Sequence, residues 1–267
     1  QGEVSARLPS RDGGQSFSAR LKPLGHGAPG YLLLLEDTEA LISPEAARPI
    51  IYDFDLLDRP ASAAQHDLSP DDLTFVVFDT ETTGLLPHRD AIVQLAAVRV
   101  VRGRIVPGEV IDALVNPGRP IPPAATRVHG VSDAMVAGAP DIVTVGRQFH
   151  AFARDAVIVA HNAPFDLAFL NRDAAAMGVA FDHPVLDTVL LSAVLFGAGE
   201  THTLDALCDR LGVVIPPELR HTALGDARAT AEALCAMLPM LGGRGMHSFG
   251  DVIAQTRRHG RLLQDMN

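Results

Sequence analysis

The chain has 267 residues, of which 47% are hydrophobic, and it carries a formal net charge of −10. It is long enough to bury a core, and it lacks a run of about eighteen apolar residues, which excludes a membrane-spanning helix of ordinary length. The two cysteines, Cys208 and Cys235, exclude a disulfide scaffold and are typical of core thiols in a reducing compartment. We therefore expect a soluble, cytoplasmic piece of a longer polypeptide, because the sequence starts at Gln1 rather than at methionine.

The acidic charge is uneven along the chain. Residues 1–72 carry 12 acidic and 6 basic side chains, whereas residues 73–267 carry 20 and 16. If four acids of the second part bind metal ions, its remaining charges balance, and the net charge then does not exclude a nucleic-acid partner. All 16 bases of that part are arginines, which suit bidentate contacts with phosphate. A compositional bias toward arginine explains them equally well.

The first 58 residues predict a small N-terminal extension. Residues 1–20 are polar, rich in glycine and serine, and without periodicity, which favours a poorly ordered arm. The stretch GYLLLLEDTEAL, residues 30–41, predicts a buried strand that runs into the start of a helix, and it resembles the closing strand of PAS-type sensor domains. We therefore predict the tail of such a domain within residues 1–58, followed by a proline-containing linker over residues 59–72.

The rest of the chain has a regular pattern. Apolar runs predict strands at Thr74–Phe78 and Ile92–Val101, and a hairpin centred on Gly103 leads into a third strand that ends near Val115. Because these strands follow one another directly, we expect them to be antiparallel. A further short buried strand is predicted at residues 156–160.

Amphipathic stretches around these strands predict helices. The longer ones are residues 141–153, PFDLAFLNRDAAAMG closed by Gly178, VLDTVLLSAVLFG, TLDALCDRLG and GDARATAEALCAMLPML. Residues 241–267 predict a helical tail with a basic patch. Together, the strands and helices predict an α/β domain with a mixed sheet and helices packed against it.

Two carboxylates, Asp79 and Glu81, follow the first strand of this domain. Residues i and i+2 of a strand point to the same side, and we therefore expect the two side chains to project together. Two carboxylates at the end of a buried strand repel each other and lose hydration, and a hard cation such as Mg²⁺ would relieve both effects. An Asp-x-Glu is more often a solvated turn, and the pair alone is weak evidence.

Two later stretches bear on this pair, and in the first, as at Asp79, an acid follows a buried apolar run. In HNAPFD, Asp166 lies in the first turns of a predicted helix, and in HTALGDA, His221 precedes Asp226 by five residues at another helix start. An acid near a helix N-terminus is also favoured by the helix dipole, and a histidine is ordinarily a surface residue. The occurrence of all three stretches in this order favours one shared site.

The stretches FDTETTG, HNAPFD and HTALGDA, with RVHGVSDAMV between the first two, resemble the motifs of the DEDDh 3′-to-5′ exonucleases. This is the family of the proofreading ε subunit of bacterial DNA polymerase III. The resemblance covers residues 74–238, and we assign residues 73–240 to the exonuclease domain and residues 241–267 to the tail. It implies an RNase H-like fold, with a mixed five-stranded sheet flanked by helices.

The resemblance also implies a mechanism. Four acids would hold two divalent cations, Mg²⁺ or Mn²⁺, and His221 would be the general base, because an imidazole can accept a proton near neutral pH. The implied metal-binding acids are Asp79, Glu81, Asp166 and Asp226. The enzyme would hydrolyse the terminal phosphodiester at a nucleic acid 3′ end and release a nucleoside 5′-monophosphate. Gly225, directly before Asp226, is expected to weaken that helix start by a fraction of a kcal/mol to about one.

Seven further residues are implied to contact the substrate. The pocket for the 3′-terminal nucleotide would be lined by Thr82, Thr83, Gly84 and Leu85. Further candidates are His129, Asn162 and Phe165. Phe165 fits core packing equally well, and His129 fits the end of a helix.

The substrate and the pathway stay open at this point. Proofreading exonucleases, RNA-trimming enzymes and free-standing single-strand DNases share these motifs, and a chain with 5% aromatic residues gives no sign of a long stacking channel. We favour single-stranded DNA in proofreading or repair, with a DNA polymerase as a partner, and keep RNA as the alternative. A different class is a non-catalytic module that binds 3′ ends or regulates, but such a module has no need of a like-charge cluster. A further alternative is an N-terminal signalling segment whose output is the nuclease.

Overall fold

The computed structural model describes residues 4–9, 16–23, 31–36 and 65–259. The chain divides into two compact units, Gln1–Pro49 and Ile50–Asn267. The described part of the first unit is an antiparallel sheet of three strands in the order β1-β2-β3. These strands are β1 (Val4–Pro9), β2 (Ser16–Pro23) and β3 (Tyr31–Glu36).

This sheet corrects one prediction for the N-terminal extension. The strand expected after residue 30 is present as β3. The prediction of a poorly ordered arm is wrong for residues 4–9 and 16–20, because β1 and β2 pair from Val4 opposite Leu21 to Pro9 opposite Ser16, whereas residues 1–3 and 10–15 lie outside the described residues. The apolar residues of β1 alternate over only six positions, too few to stand out in a polar segment. The predicted helix start after β3 and residues 37–58 lie outside the described residues.

The second unit contains a mixed sheet of five strands in the order β6-β5-β4-β7-β8. The strands are β4 (Thr74–Thr82), β5 (Ile92–Val101), β6 (Arg104–Leu114), β7 (Val157–Ala160) and β8 (Val185–Asp187). β4, β5 and β6 pair antiparallel, and β7 and β8 run parallel to β4. The predicted α/β class, the five-stranded mixed sheet and its flanking helices are confirmed.

Eight helices are found in the described part of this unit. They are α1 (Pro123–His129), α2 (Asp133–Val136), α3 (Ile142–Phe152), α4 (Ala163–Met177), α5 (Thr188–Phe196), α6 (Leu204–Leu211), α7 (Ala223–Gly243) and α8 (Phe249–Arg257). No helix within the described ranges is long and apolar enough to cross a membrane.

β4 is buried on both faces, and this explains its continuous apolar sequence. Phe75 and Val77 pack with residues of α5, α7 and α8. Val76 and Phe78 pack with residues of α3 and α4, including Phe149, whose ring centroid lies 4.7 Å from that of Phe78. The sheet therefore lies between two helical layers, and polar residues begin only at the carboxyl end of β4.

The stretch VLDTVLLSAVLFG differs from its prediction as one helix. Its first three residues form β8, which pairs with β7 from Val185 opposite Ile158 to Asp187 opposite Ala160, and α5 begins directly afterwards. Before β4, residues 65–72 contain two 3₁₀ turns. The carbonyl of Leu68, between these turns, accepts a hydrogen bond from the N–H of Phe249 at the start of α8. The domain bounds given above stay a prediction.

Candidate active site

Three of the predicted acids meet at the carboxyl end of β4. Asp79 and Glu81 lie two residues apart on that strand, and Asp226 lies in the first turn of α7, which packs on β4 and β5. One carboxylate oxygen from each residue lies within 4.8 Å of the other two. This arrangement of hard oxygen atoms suits one or more divalent cations.

Local hydrogen bonds hold the start of α7 in this position. The Thr222 side chain caps the helix by accepting the Gly225 N–H at 3.1 Å. The Ala223 N–H donates to the side-chain oxygen of Gln94 at 3.3 Å, and Gln94 lies opposite Glu81 on β5. The helix that carries one acid is therefore tied to the strand next to the other two.

Asp166, the fourth predicted acid, lies outside the group of three but beside it. It lies in the first turn of α4 and is 3% exposed. After burial, the charge of Asp166 is the largest cause of the raised pKa of Asp79, ahead of the charges of Glu81 and Asp226. Its Oδ1 accepts two hydrogen bonds from Thr80, one from the hydroxyl at 2.5 Å and one from the backbone N–H at 3.1 Å. Thr80 therefore holds one oxygen of this carboxylate in place.

The electrostatics of the four acids favour a bound cation. Burial, followed by the charges of the neighbouring acids, raises the pKa of Asp79 well above its usual value and that of Glu81 to about 8. Burial also raises the pKa of Asp166 to about 7, against the opposing effect of the Thr80 hydrogen bonds, and it raises that of Asp226. A cation among the four acids would stabilise their ionised forms, because it offsets both their mutual repulsion and their loss of hydration.

His221 lies beside Asp226 in an unusual backbone conformation. Its side chain is exposed, its φ is 56°, and both its charge and its backbone N–H lower the pKa of Asp226. The segment that carries it packs tightly on α7, because a Cβ added at Gly225 would lie 1.8 Å from the Leu219 carbonyl oxygen. The glycine that we expected to weaken the helix therefore permits this close approach.

The four predicted pocket residues after Glu81 have different environments. The Thr82 hydroxyl donates to the Gly84 carbonyl at 2.7 Å, and the Thr83 hydroxyl accepts the Ala91 N–H at 3.0 Å. Both side chains are buried and shape the loop between β4 and β5. Leu85, in contrast, is 78% exposed and available to a ligand.

The other three predicted contact residues are partly or wholly enclosed. His129 is 6% exposed beside the backbone of Thr82, its Nδ1 accepts the Val131 N–H at 3.0 Å, and burial lowers its pKa. Asn162 is half-buried in the left-handed conformation with a φ of 72°. Phe165 is half-buried, packs against the core and meets Phe169 edge-on, with ring centroids 5.2 Å apart.

The prediction missed two polar residues next to this site. Thr80 was treated as the spacer between two acids, although it holds Asp166. Asp187, which is 5% exposed, was placed inside a predicted helix, although it accepts backbone N–H groups at the start of α4. A carboxylate within the apolar stretch VLDTVLL was the available signal, because a buried acid needs partners.

The fold and the carboxylate cluster together define a class of nucleases, and comparison with known proteins agrees. The family model RNase_T, described as an exonuclease, matches residues 76–234. This chain belongs to that exonuclease family, which confirms the family predicted from the motifs.

Two curated relatives carry DNA polymerase III names. This chain is 63% identical over 221 residues to the DNA polymerase III subunit epsilon-like protein of Rhodobacter capsulatus, a match that covers 82% of this chain and 31% of that protein. It is 39% identical over 168 residues to the PolC-type DNA polymerase III of Bacillus subtilis, covering 62% of this chain and 11% of that protein. The chain thus spans a third or less of the length of these curated relatives.

Solved structures show the same architecture. Exonuclease X in complex with 5′ overhanging duplex DNA has a TM-score of 0.52 and 31% identity, covering 67% of this chain and 99% of that one. E. coli Exonuclease I in complex with a dT13 oligonucleotide has a TM-score of 0.55 and 18% identity, covering 64% and 42%. The second likeness concerns the fold alone.

Proposed function

We propose that this chain is a metal-dependent 3′-to-5′ exonuclease that removes nucleoside 5′-monophosphates from the 3′ end of DNA. The proposal depends above all on the cluster of Asp79, Glu81 and Asp226, whose oxygens approach within 4.8 Å at the end of a buried strand. Membership of the exonuclease family supports hydrolysis, and the burial of these acids supports a cation requirement.

The residues present fit two divalent cations, Mg²⁺ or Mn²⁺. Asp79, Glu81 and Asp226 supply oxygens at one position, and the buried carboxylate of Asp166, close enough for its charge to raise the pKa of Asp79 in addition to the larger effect of burial, would supply a further oxygen. When bound, such ions activate water and stabilise charge on the leaving 3′ oxygen.

Two groups of the chain itself have distinct roles in this mechanism. His221 is exposed beside Asp226 and accepts the proton of the attacking water. The exposed Leu85 and the backbone of the loop that carries it orient the terminal nucleotide.

DNA is the favoured substrate because the solved relative with 31% identity was captured with duplex DNA that has a 5′ overhang. The resemblance to an epsilon-like protein suggests proofreading or repair beside a DNA polymerase in the cytoplasm. RNA trimming stays the alternative activity.

The test uses one 5′-labelled sequence as single-stranded DNA, as RNA and as a duplex with a 5′ overhang. Each is incubated with Mg²⁺, with Mn²⁺ or with EDTA, and products are resolved by length. We expect metal-dependent shortening of DNA from its 3′ end, with RNA cut more slowly. Shortening from the 5′ end, or shortening that persists in EDTA, would contradict the proposal.

Variants of the site test the assignment of residues. Asp79→Ala and Asp226→Ala should abolish shortening while circular dichroism stays that of the wild type, because each removes a carboxylate from the cluster. His221→Ala should lower the rate by a factor of about a hundred or more. Wild-type rates in these variants would show that the chemistry lies elsewhere. Tight binding of a DNA 3′ end without turnover would favour the alternative of a binding module.

A further inference from the structure

Asp187 is a buried carboxylate with no part in the chemistry described above. It ends β8, precedes α5, and is 5% exposed. Its Oδ1 accepts the N–H groups of Val189 at 2.7 Å and Asn162 at 3.4 Å, and its Oδ2 accepts that of Ala163 at 2.7 Å. Because both oxygens have backbone donors, this carboxylate holds the chain rather than a cation.

Two of these donors belong to the start of α4, far away in sequence. The N-cap residue of α4, Asn162, makes no capping hydrogen bond with its own side chain, and its φ of 72° lies in the left-handed region, which asparagine adopts more readily than most residues other than glycine. Asp187 supplies from another element the cap that α4 lacks. It thereby fixes the turn between β7 and α4.

The position of Asp166 depends on that turn. Asp166 follows Asn162 by four residues, so that it lies about one helical turn beyond the point that Asp187 holds. On its other side, Asp166 is held by Thr80 of β4. The carboxylate is therefore fixed by contacts at β4 and at the start of its own helix.

We propose that Asp187 is a positioning residue of the proposed metal site, which fixes the start of α4 and so places the carboxylate of Asp166 beside Asp79. The inference rests on the proposed function, in which Asp166 binds a cation. Asparagine at position 187 would have the same size, but its NH₂ group would face one of the backbone N–H donors. The start of α4 would then move, and the ion that contacts Asp166 would bind more weakly.

The test compares Asp187→Asn and Asp187→Ser with a control, Asp141→Asn. Serine keeps an oxygen that can cap α5 but has no second oxygen for α4. Asp141 is an exposed N-cap aspartate of α3, which accepts the Thr144 N–H at 2.9 Å and has no contact with the site acids. Mn²⁺ binding is measured by titration calorimetry without DNA. The values of kcat and KM are measured on single-stranded DNA, and folding by thermal denaturation.

We expect both Asp187 variants to bind Mn²⁺ at least about tenfold more weakly, and kcat to fall by about ten- to a hundredfold, as for other residues that orient metal ligands. The KM for DNA should stay within about twofold, and raising Mn²⁺ should restore part of the rate. The Tm of both variants in EDTA should stay above the assay temperature, which separates weaker Mn²⁺ binding from a loss of folded protein. Asp141→Asn should change neither Mn²⁺ affinity nor kcat by more than about twofold.

Other outcomes would overturn the inference. Folded Asp187 variants with wild-type Mn²⁺ affinity and kcat would show that the contact to α4 does not position Asp166. Unfolding of both variants, with a folded control, would assign Asp187 to the stability of the whole domain. A wild-type protein that neither binds Mn²⁺ nor cuts DNA would instead remove the proposed function, and the inference with it.

Discussion

At the scale of single residues, the close packing at Gly225 predicts that even a methyl group at this position impairs catalysis. A Cβ at this position would lie 1.8 Å from the Leu219 carbonyl oxygen, and the segment that carries His221 must then move away from α7. We expect Gly225→Ala to lower kcat at least about tenfold, although alanine is the better helix former. The rate is measured on single-stranded DNA at saturating Mn²⁺.

The same helix offers a matched control for this substitution. Gly242 also lies in α7, and a Cβ added there meets nothing within 4 Å. Gly242→Ala should leave kcat unchanged and stabilise the protein by about 0.5 to 1 kcal/mol. A wild-type rate in Gly225→Ala would mean that the Leu219 segment adjusts without displacing His221.

The residues that the sequence could predict are those with a local signature. Asp79 and Glu81 were predictable because a spacing of two on a strand fixes their common direction, and Asp226 because it lies at the start of a predicted helix. The contacts of Thr80 with Asp166 and of Asp187 with the start of α4 were not predictable, because these partners lie 86 and 24 residues away in sequence. Their contacts exist only once the sheet has assembled.

At the scale of elements, α4 supports both the metal site and the loop between β4 and β5. Arg172 of α4 donates to the carbonyl of Pro87 at 2.5 Å and also to the carbonyl of Asp90. The Asp90 side chain in turn accepts the Leu86 N–H at 3.0 Å. This loop carries the exposed Leu85, which we propose contacts the substrate, and the position of the loop depends on Arg172.

We expect Arg172→Ala to raise the KM for DNA about tenfold, with a smaller effect on kcat and none on Mn²⁺ affinity, because it frees the loop and leaves the acids in place. The control is Arg147→Ala, which removes a guanidinium that contacts the other end of α4 through the Met177 carbonyl at 2.6 Å. Equal KM values for the two variants would show that the loop does not need this contact.

The elements that the sequence failed to predict are those whose pairing is distant. β8 has three residues, and its apolar sequence continues into α5, so that only its pairing with β7 distinguishes strand from helix. β4, β5 and the four-residue β7 were predictable because polar or turn residues bound their apolar runs. A visible boundary in the sequence, more than element length, separates the two cases.

At the scale of the whole molecule, the fold forces acids into a place that opposes their ionisation. Asp79, Asp166 and Asp226 come from three segments separated by 87 and 60 residues. In the folded chain Asp226 of α7 meets Asp79 of β4, and Asp166 lies beside them at the start of the helix that follows β7. Without a cation, the folded state must bear their repulsion. Stability should therefore depend on pH and on metal together.

The pH dependence follows from the raised pKa of these acids. Glu81 has a pKa of about 8 in the folded protein and about 4.3 when unfolded, and Asp166 about 7 against about 3.9. A group of this kind leaves stability intact below its unfolded pKa and lowers it as pH rises through its folded pKa. The metal-free protein should therefore lose stability as pH rises toward about 8.

Below about pH 6.5 the buried histidines act in the opposite sense. Burial lowers the pKa of His129, His183 and His202, and it lowers the pKa of His161 to about 4. Because these values lie below the unfolded pKa of histidine, near 6.5, the protein gains stability as pH rises toward about 6.5. The two thiols have pKa values raised to about 11 and act only above about pH 8.5. Between about pH 6.5 and 8, the change in stability with pH therefore reports mainly on the acids.

In that interval we expect the Tm of the metal-free protein to fall with rising pH, and the gain in Tm on adding Mn²⁺ to grow. Glu81→Gln should flatten both trends, since it removes one of the ionisations, whereas Asp141→Asn should leave them unchanged because Asp141 is exposed and its pKa is lowered. Differential scanning calorimetry in EDTA and in Mn²⁺ measures both. A metal-free Tm that rises between about pH 6.5 and 8 would mean that contacts within the chain already neutralise the four acids. Their burial would then give no argument for a bound cation.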